Sequence, residues 1–144
     1  MAGAVQHGAS TLPDELFHRF PQVETAEVHL ATGFTNLLLD HPRFPAGLLS
    51  EMRAYCDREH ADERVAGETD GQFFYKTRKK VWGPFKRRTW DLPEDIRAEL
   101  NAGLQAKFEF LIRQLSAAGR RDVTMKHVVQ KPATYKAPLV ASRA

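Results

Sequence analysis

Apolar and polar residues alternate with a period of two in the stretch "TAEVHLAT", residues 25–32. This period is typical of a β-strand, in which successive side chains point to opposite faces. Val28 and Leu30 would share one face, whereas Glu27 and His29 would share the other. The pattern therefore predicts a strand with an apolar face and a titratable histidine on the opposite face.

The residues before this strand predict a second strand and a connecting helix. A short apolar run predicts a buried strand over residues 4–7, and the small residues that follow indicate a turn. A short helix is predicted over residues 13–20, with Thr11 as its N-cap. The spacing of the two strands suits a parallel β-α-β unit. Because two parallel strands need cover and further partners, the pattern indicates part of a larger α/β domain.

Helical spacing of apolar residues dominates the chain beyond residue 32. A short helix is predicted in "NLLLDH" and a longer one in "PAGLLSEMRAYCDREHADERV". Thr69 is the predicted N-cap of the next helix, and Asp91 that of the last strong one. The last helix carries an apolar stripe that is expected to face a core, made of Ile96, Leu100, Leu104, Phe108, Leu111 and Leu115.

Composition limits the class of protein. The 144 residues are 42% hydrophobic and 27% charged, which predicts one globular domain, and the net charge of +3 is only mildly basic. A single cysteine, Cys56, excludes an internal disulfide and a cysteine-based zinc site, and its neighbours on the helix predict a packing role. No apolar run reaches membrane-spanning length and no secretory leader is visible. We therefore expect a cytoplasmic protein without a membrane partner.

Three stretches resemble a known enzyme family. "HGAST" followed by a helix and then "EVHLATGFTN" is similar to the last two strand–loop units of class II, zinc-dependent fructose-bisphosphate and related ketose-bisphosphate aldolases. "QFFYKTRKKVWGPFKRRTWDLPEDIR" resembles the helical C-terminal extension of a long-chain branch of that family. The resemblance implies an α/β fold in which residues 1–44 are the last two β-α units of a (β/α)8 TIM barrel. Residues 45–130 would be a helical extension and residues 131–144 a tail.

The same resemblance implies which residues contact metal and substrate. His7 matches one of three imidazole ligands to a catalytic Zn²⁺, which would act as a Lewis acid in aldol cleavage. Gly8 and Ser10 match the loop that holds a substrate phosphate, and Thr32 lies on the phosphate side. The substrate would be a ketose bisphosphate such as fructose 1,6-bisphosphate, in carbohydrate metabolism and glycolysis.

Two positions depart from the family pattern. His29 stands where asparagine is usual, and Ala31 stands where aspartate is usual. His29, on the inward face, is either a second metal contact or a core histidine that makes hydrogen bonds. His7 and Ser10 have plain structural interpretations as well, since a histidine can close a turn and a hydroxyl can cap a helix.

The resemblance leaves the predicted active site incomplete. The other two zinc histidines and the general acid/base carboxylate of the family come from earlier strands, so this chain is expected to be a fragment that is not catalytically complete by itself. A homo-oligomer or a barrel-completing subunit would be its partner. The alternative functions are a non-catalytic module for phosphate ligands or protein partners, and a nucleic-acid-binding protein. The last would use the basic segment 76–88, unless acidic residues at 57–70 and 91–99 neutralise it.

Overall fold

The computed structural model describes residues 3–129 and residue 131, so the predicted tail lies outside the described residues except for Lys131. Two strands and seven α-helices follow one another in this part of the chain: β1 Val5–Gln6, α1 Arg19–Gln22, β2 Glu27–Val28, α2 Thr32–Leu39, α3 Ala46–Glu59, α4 Asp70–Thr77, α5 Lys86–Trp90, α6 Glu94–Gln114 and α7 Arg121–His127. Short 3₁₀ helices lie between them at Ala9–Thr11, Asp14–Leu16, Ala61–Glu63 and Arg78–Trp82.

The two strands form a minimal parallel pair. Val5 lies opposite Glu27 and Gln6 lies opposite Val28. The backbone N–H of His29 donates to the carbonyl oxygen of Gln6 at 2.9 Å, at the end of the pair. Both predicted strands are therefore in place, and each is only two residues long.

The predicted fold class, α/β with a partial TIM barrel, is wrong. Most of the described residues are helical, and the sheet among them has two strands of two residues each. Barrel strands are buried on both faces, whereas Val5 of β1 is 49% exposed. Alternation over residues 25–32 reports a local extended conformation, but it carries no information on how many strands pair with it. Helices, not a sheet, enclose the interior.

A main core lies between α3, α4 and the 3₁₀ helix Arg78–Trp82. α3 contributes one apolar face at helical spacing, with Leu48, Met52 and Cys56 buried. Cys56 has no exposed surface, which confirms its packing role. The buried residues of this core within the described part of the chain are Leu39, Phe44, Leu48, Met52, Cys56, Phe73, Phe74, Val81, Phe85 and Leu100.

A minor core lies beneath the strands. Its buried residues are Ala9, Phe17 and Leu111, and Val28 and Leu30 pack against them. The predicted apolar face of the second strand is thereby confirmed. α6 joins the two cores, because its Leu100 belongs to the main core and its Leu111 to the minor core.

Helix starts follow the sequence in one case and depart from it in two. Thr69 caps α4 as predicted: its hydroxyl accepts from the Gln72 N–H, and the Gln72 side chain accepts from the Thr69 N–H. The predicted N-caps Asp91 and Thr11 do not occupy the N-cap positions, which belong to Pro93 and Pro13. α6 and the 3₁₀ helix Asp14–Leu16 each begin directly after a proline, without a capping side chain. Within the described part of the chain, no helix is long and apolar enough to cross a membrane.

Candidate functional site

The loops that follow the two strands meet at one edge of the pair, because the carboxyl ends of parallel strands point the same way. The loop after β1 leads into the 3₁₀ helix Ala9–Thr11, and the loop after β2 leads into α2. Between them lies a cleft of about 390 Å³, here called the strand-end cleft. It is lined by His7, Gly8, Ser10, His29, Leu30, Ala31 and Thr32. All five predicted site residues are in this set.

A side-chain hydrogen bond ties the two loops together. The Ser10 hydroxyl accepts from the backbone N–H of Ala31 at 3.2 Å, across 21 residues of chain. Its own proton stays available for an acceptor in the cleft, because a hydroxyl can donate and accept at once. Gly8 has a φ of 72°, a left-handed conformation that glycine adopts without the steric penalty of a side chain. The loop conformation thus explains a glycine and a serine at these positions.

The start of α2 adds backbone donors to this edge. Ala31 is the residue that precedes the helix, and no side chain caps it. The first N–H groups of an α-helix have no partner within the helix, and the helix dipole places partial positive charge there. Thr32, the first residue of α2, lines the strand-end cleft. An anion in the cleft would therefore lie near donors of suitable charge.

The two histidines of the cleft stack on each other. The ring centroids of His7 and His29 are 4.4 Å apart and the ring planes differ by 25°. Nε2 of His29 lies 2.5 Å from a carboxylate oxygen of Glu27, and the His29 side chain is 47% exposed. His29 is thus a surface residue at the cleft rather than a core histidine.

The stacked rings do not form a shared metal site. A metal ion binds an imidazole nitrogen in the plane of the ring, and no ion lies close to the planes of two nearly parallel rings at once. Among the described residues, no group of three or more His, Cys, Asp and Glu side chains is arranged to hold a metal. The three-ligand zinc site that the aldolase resemblance implies does not fit these residues by themselves. His7 could supply one ligand of such a site.

Acidic side chains neutralise much of the basic segment 76–88, and part of this was predicted. Lys76 pairs with Glu68 at 2.9 Å, and Lys80 pairs with Glu63. Both acids lie in the range 57–70. The hydrogen bonds from these lysines hold the pKa of each carboxyl below its ordinary value of 4.5.

Sequence reasoning missed the burial of Arg78. Its side chain is 6% exposed and pairs with Asp40 at 2.7 Å, so it belongs to the interior rather than to a solvated basic face. One indication was available, because Arg78 follows Phe74 by four residues and precedes Val81 by three. Both neighbours are buried apolar residues at helical spacing.

Comparison with known proteins adds no family to this description. No protein-family model, curated protein or solved structure matches the chain. The likeness to class II aldolases consequently rests on the short motifs at residues 7–11 and 27–36 and on the basic helical segment.

Proposed function

We propose that the strand-end cleft binds the phosphate of a phosphorylated sugar. The observation that carries the proposal is the meeting of His7, Gly8, Ser10 and Thr32 at one edge of the parallel pair, although they come from two loops. A cleft of about 390 Å³ is within the range of small-molecule sites.

The donors of the cleft explain why a phosphate would be preferred. The Ser10 hydroxyl can donate one hydrogen bond, and the uncapped start of α2 offers backbone N–H groups. His7 adds an imidazole whose ring N–H can donate a hydrogen bond. Hydrogen bonds to a charged oxygen are about twice as strong as neutral ones, so a few such donors give useful affinity.

The aldolase resemblance extends the proposal to a ketose bisphosphate as substrate, in the cytoplasm. Zn²⁺ would then bind His7 only in a complex where another polypeptide supplies the remaining ligands and the acid/base carboxylate. Since the described residues hold one of the three expected ligands, we assign no catalytic step to this chain by itself. We expect zinc-dependent cleavage of fructose 1,6-bisphosphate from such a complex and none from the isolated chain.

Phosphate titration of the full chain tests the proposal, with backbone amide NMR shifts of residues 7–11 and 29–34 as the readout. Ser10→Ala removes a hydroxyl that can donate to the anion, and it should weaken binding about tenfold. Ser50→Ala is the matched control, because the Ser50 hydroxyl is exposed and donates to the Ala46 carbonyl. Absence of shifts at these amides, or equal affinity of the two variants, would overturn the proposal.

A further inference from the structure

We propose that a second cleft, next to the strand-end cleft, is a separate binding site for a phosphate group. This basic cleft has a volume of about 420 Å³ and is lined by Ala31, Thr32, Thr35, Tyr75, Lys76, Arg78 and Lys79. Ala31 and Thr32 line both clefts, so the start of α2 separates the two sites. The proposal rests on Arg78, Lys79 and Thr35, which lie outside the first site, and it stands whether or not that site binds phosphate.

Arg78 is the central observation. Its side chain is 6% exposed, and its terminal nitrogens donate to Asp40 at 2.7 Å and to the side-chain oxygen of Asn36. The guanidinium carbon lies 4.5 Å from the centre of the Tyr75 ring. These contacts fix the guanidinium in place at the wall of the basic cleft.

One donor of this fixed group is unused. The Nε of Arg78 is buried and has no hydrogen-bond partner within the described chain. Buried polar groups are nearly always paired, and an unpaired donor on a charged group is especially costly. Arg78 lines the basic cleft, so a guanidinium that lacks one of its hydrogen bonds lies beside any anion bound there.

The charge of the cleft also favours an anion. Lys76 is balanced by Glu68 and Arg78 is balanced by Asp40, whereas Lys79 is exposed and forms no ion pair with any described residue. One positive charge is therefore left over, on a long side chain at the mouth of the cleft.

A hydroxyl adds a further donor. The Thr35 oxygen accepts from the Trp82 indole N–H at 3.4 Å, which leaves its own proton to donate. Donors from several directions suit a tetrahedral oxyanion with several acceptor oxygens, which is why we assign a phosphate group rather than a carboxylate.

The phosphate group has two chemical sources. It is either a free phosphate or monoester held in the basic cleft, or the second phosphate of a ligand whose first phosphate occupies the strand-end cleft. The second source rests on the proposed function. Inorganic phosphate and fructose 1,6-bisphosphate distinguish the two when they are titrated separately.

The test follows the Nε–H resonance of Arg78 in the full chain during titration with inorganic phosphate. Phosphate bound beside the guanidinium should shift this resonance, whereas a purely structural role for Arg78 would leave it unchanged. Lys79→Ala should weaken the binding about threefold to fivefold, as expected for one exposed charge. Lys126→Ala is the matched control, since Lys126 is also an exposed lysine without an ion pair among the described residues.

Ser10→Ala separates this site from the first one. If the shift at Arg78 survives in Ser10→Ala, the basic cleft binds phosphate independently of the strand-end cleft. If Ser10→Ala and Lys79→Ala each weaken fructose 1,6-bisphosphate, one ligand spans both clefts, and the basic cleft is again confirmed. An Arg78 resonance that phosphate does not move, or equal affinity of Lys79→Ala and Lys126→Ala, would overturn the inference. The inference would also be overturned if a single-stranded oligonucleotide bound the protein in a way that depends on Lys79 while inorganic phosphate shifted no resonance.

Discussion

Single residues of the basic segment 76–88 have different environments although they look alike in the sequence. Arg78 is buried and paired with Asp40, while the neighbouring Lys79 is exposed and has no ion pair among the described residues. The partners of Arg78 are 38 and 42 residues away along the chain, in and after α2. A sequence pattern reports neighbours within a few residues, so it could place the positive charges of the segment but not the burial of this one.

Cys56 gives a prediction at the residue scale. The thiol has no exposed surface, and burial raises its pKa above the ordinary value. Because the reactive form is the exposed thiolate, we expect Cys56 to react with a thiol reagent such as Ellman's reagent at least about a hundredfold more slowly in the native protein than in urea. Rapid reaction in native buffer would show that the main core does not enclose it.

At the scale of an element, the start of α4 bears on the proposed phosphate site in the basic cleft. α4 carries Tyr75 and Lys76 into the wall of the basic cleft, and the reciprocal hydrogen bonds of Thr69 and Gln72 fix where the helix begins. This pair of reciprocal hydrogen bonds was predictable, because Thr69 and Gln72 lie three residues apart in the sequence. The starts of α6 and of the 3₁₀ helix Asp14–Leu16 directly after a proline were not predicted. A nearby side chain that can cap a helix and a proline with its fixed φ are both signals for a helix start, and the sequence does not show which one sets it.

Replacement of the α4 cap should therefore be measurable. Thr69→Ala removes the oxygen that accepts from the Gln72 N–H, and we expect a loss of about 1 kcal/mol in the free energy of unfolding. Thr124→Ala provides the comparison, because the Thr124 hydroxyl is exposed and donates to the carbonyl of Arg120, the residue that precedes α7. Urea unfolding followed by circular dichroism reports both changes. Equal stability of the two variants would contradict the role of the cap.

For the whole molecule, the positions of local features were predictable and their assembly was not. The strand-end residues were predicted because a strand, a small-residue loop and a helix follow one another within the motifs at residues 7–11 and 27–36. The prediction of a partial barrel was wrong, because those motifs are compatible with a parallel pair of two-residue strands as well as with the longer strands of a barrel. The division into two cores depends on α6, which contributes residues to both. The apolar stripe of α6 indicates that the helix packs against other elements, but it does not indicate which ones.

Acid should destabilise the whole molecule through its ion pairs. Three carboxyl groups have a pKa below the ordinary value of 4.5, because each accepts a hydrogen bond from a basic side chain. The pairs are Glu63 with Lys80, Glu68 with Lys76, and Glu51 with Arg88. The folded protein then binds these protons less readily than the unfolded chain does. Stabilisation is complete above about pH 4.5 and is lost as the pH falls through the lowered values.

Thermal melts between pH 7 and pH 3 check this expectation. The melting temperature should stay level down to about pH 5 and fall below pH 4.5, and the fall should be smaller in Glu63→Gln/Glu68→Gln. The double variant isolates the two pairs at α4 and the following 3₁₀ helix. A melting temperature that is constant or rises on acidification would contradict the role assigned to the ion pairs.

The two cores that α6 joins differ greatly in size. Among the residues that the structure describes, the main core has ten buried residues, and the minor core beneath the strand-end cleft has three. Local opening takes less free energy where fewer apolar groups are buried, so the segment of β1, β2 and their loops can open while α3 and α4 stay folded. A ligand that binds only the closed form suppresses such opening in proportion to its occupancy. The affinity of the proposed phosphate site in the strand-end cleft would therefore be set jointly by the contacts to the ligand and by the fraction of molecules in which the minor core is closed.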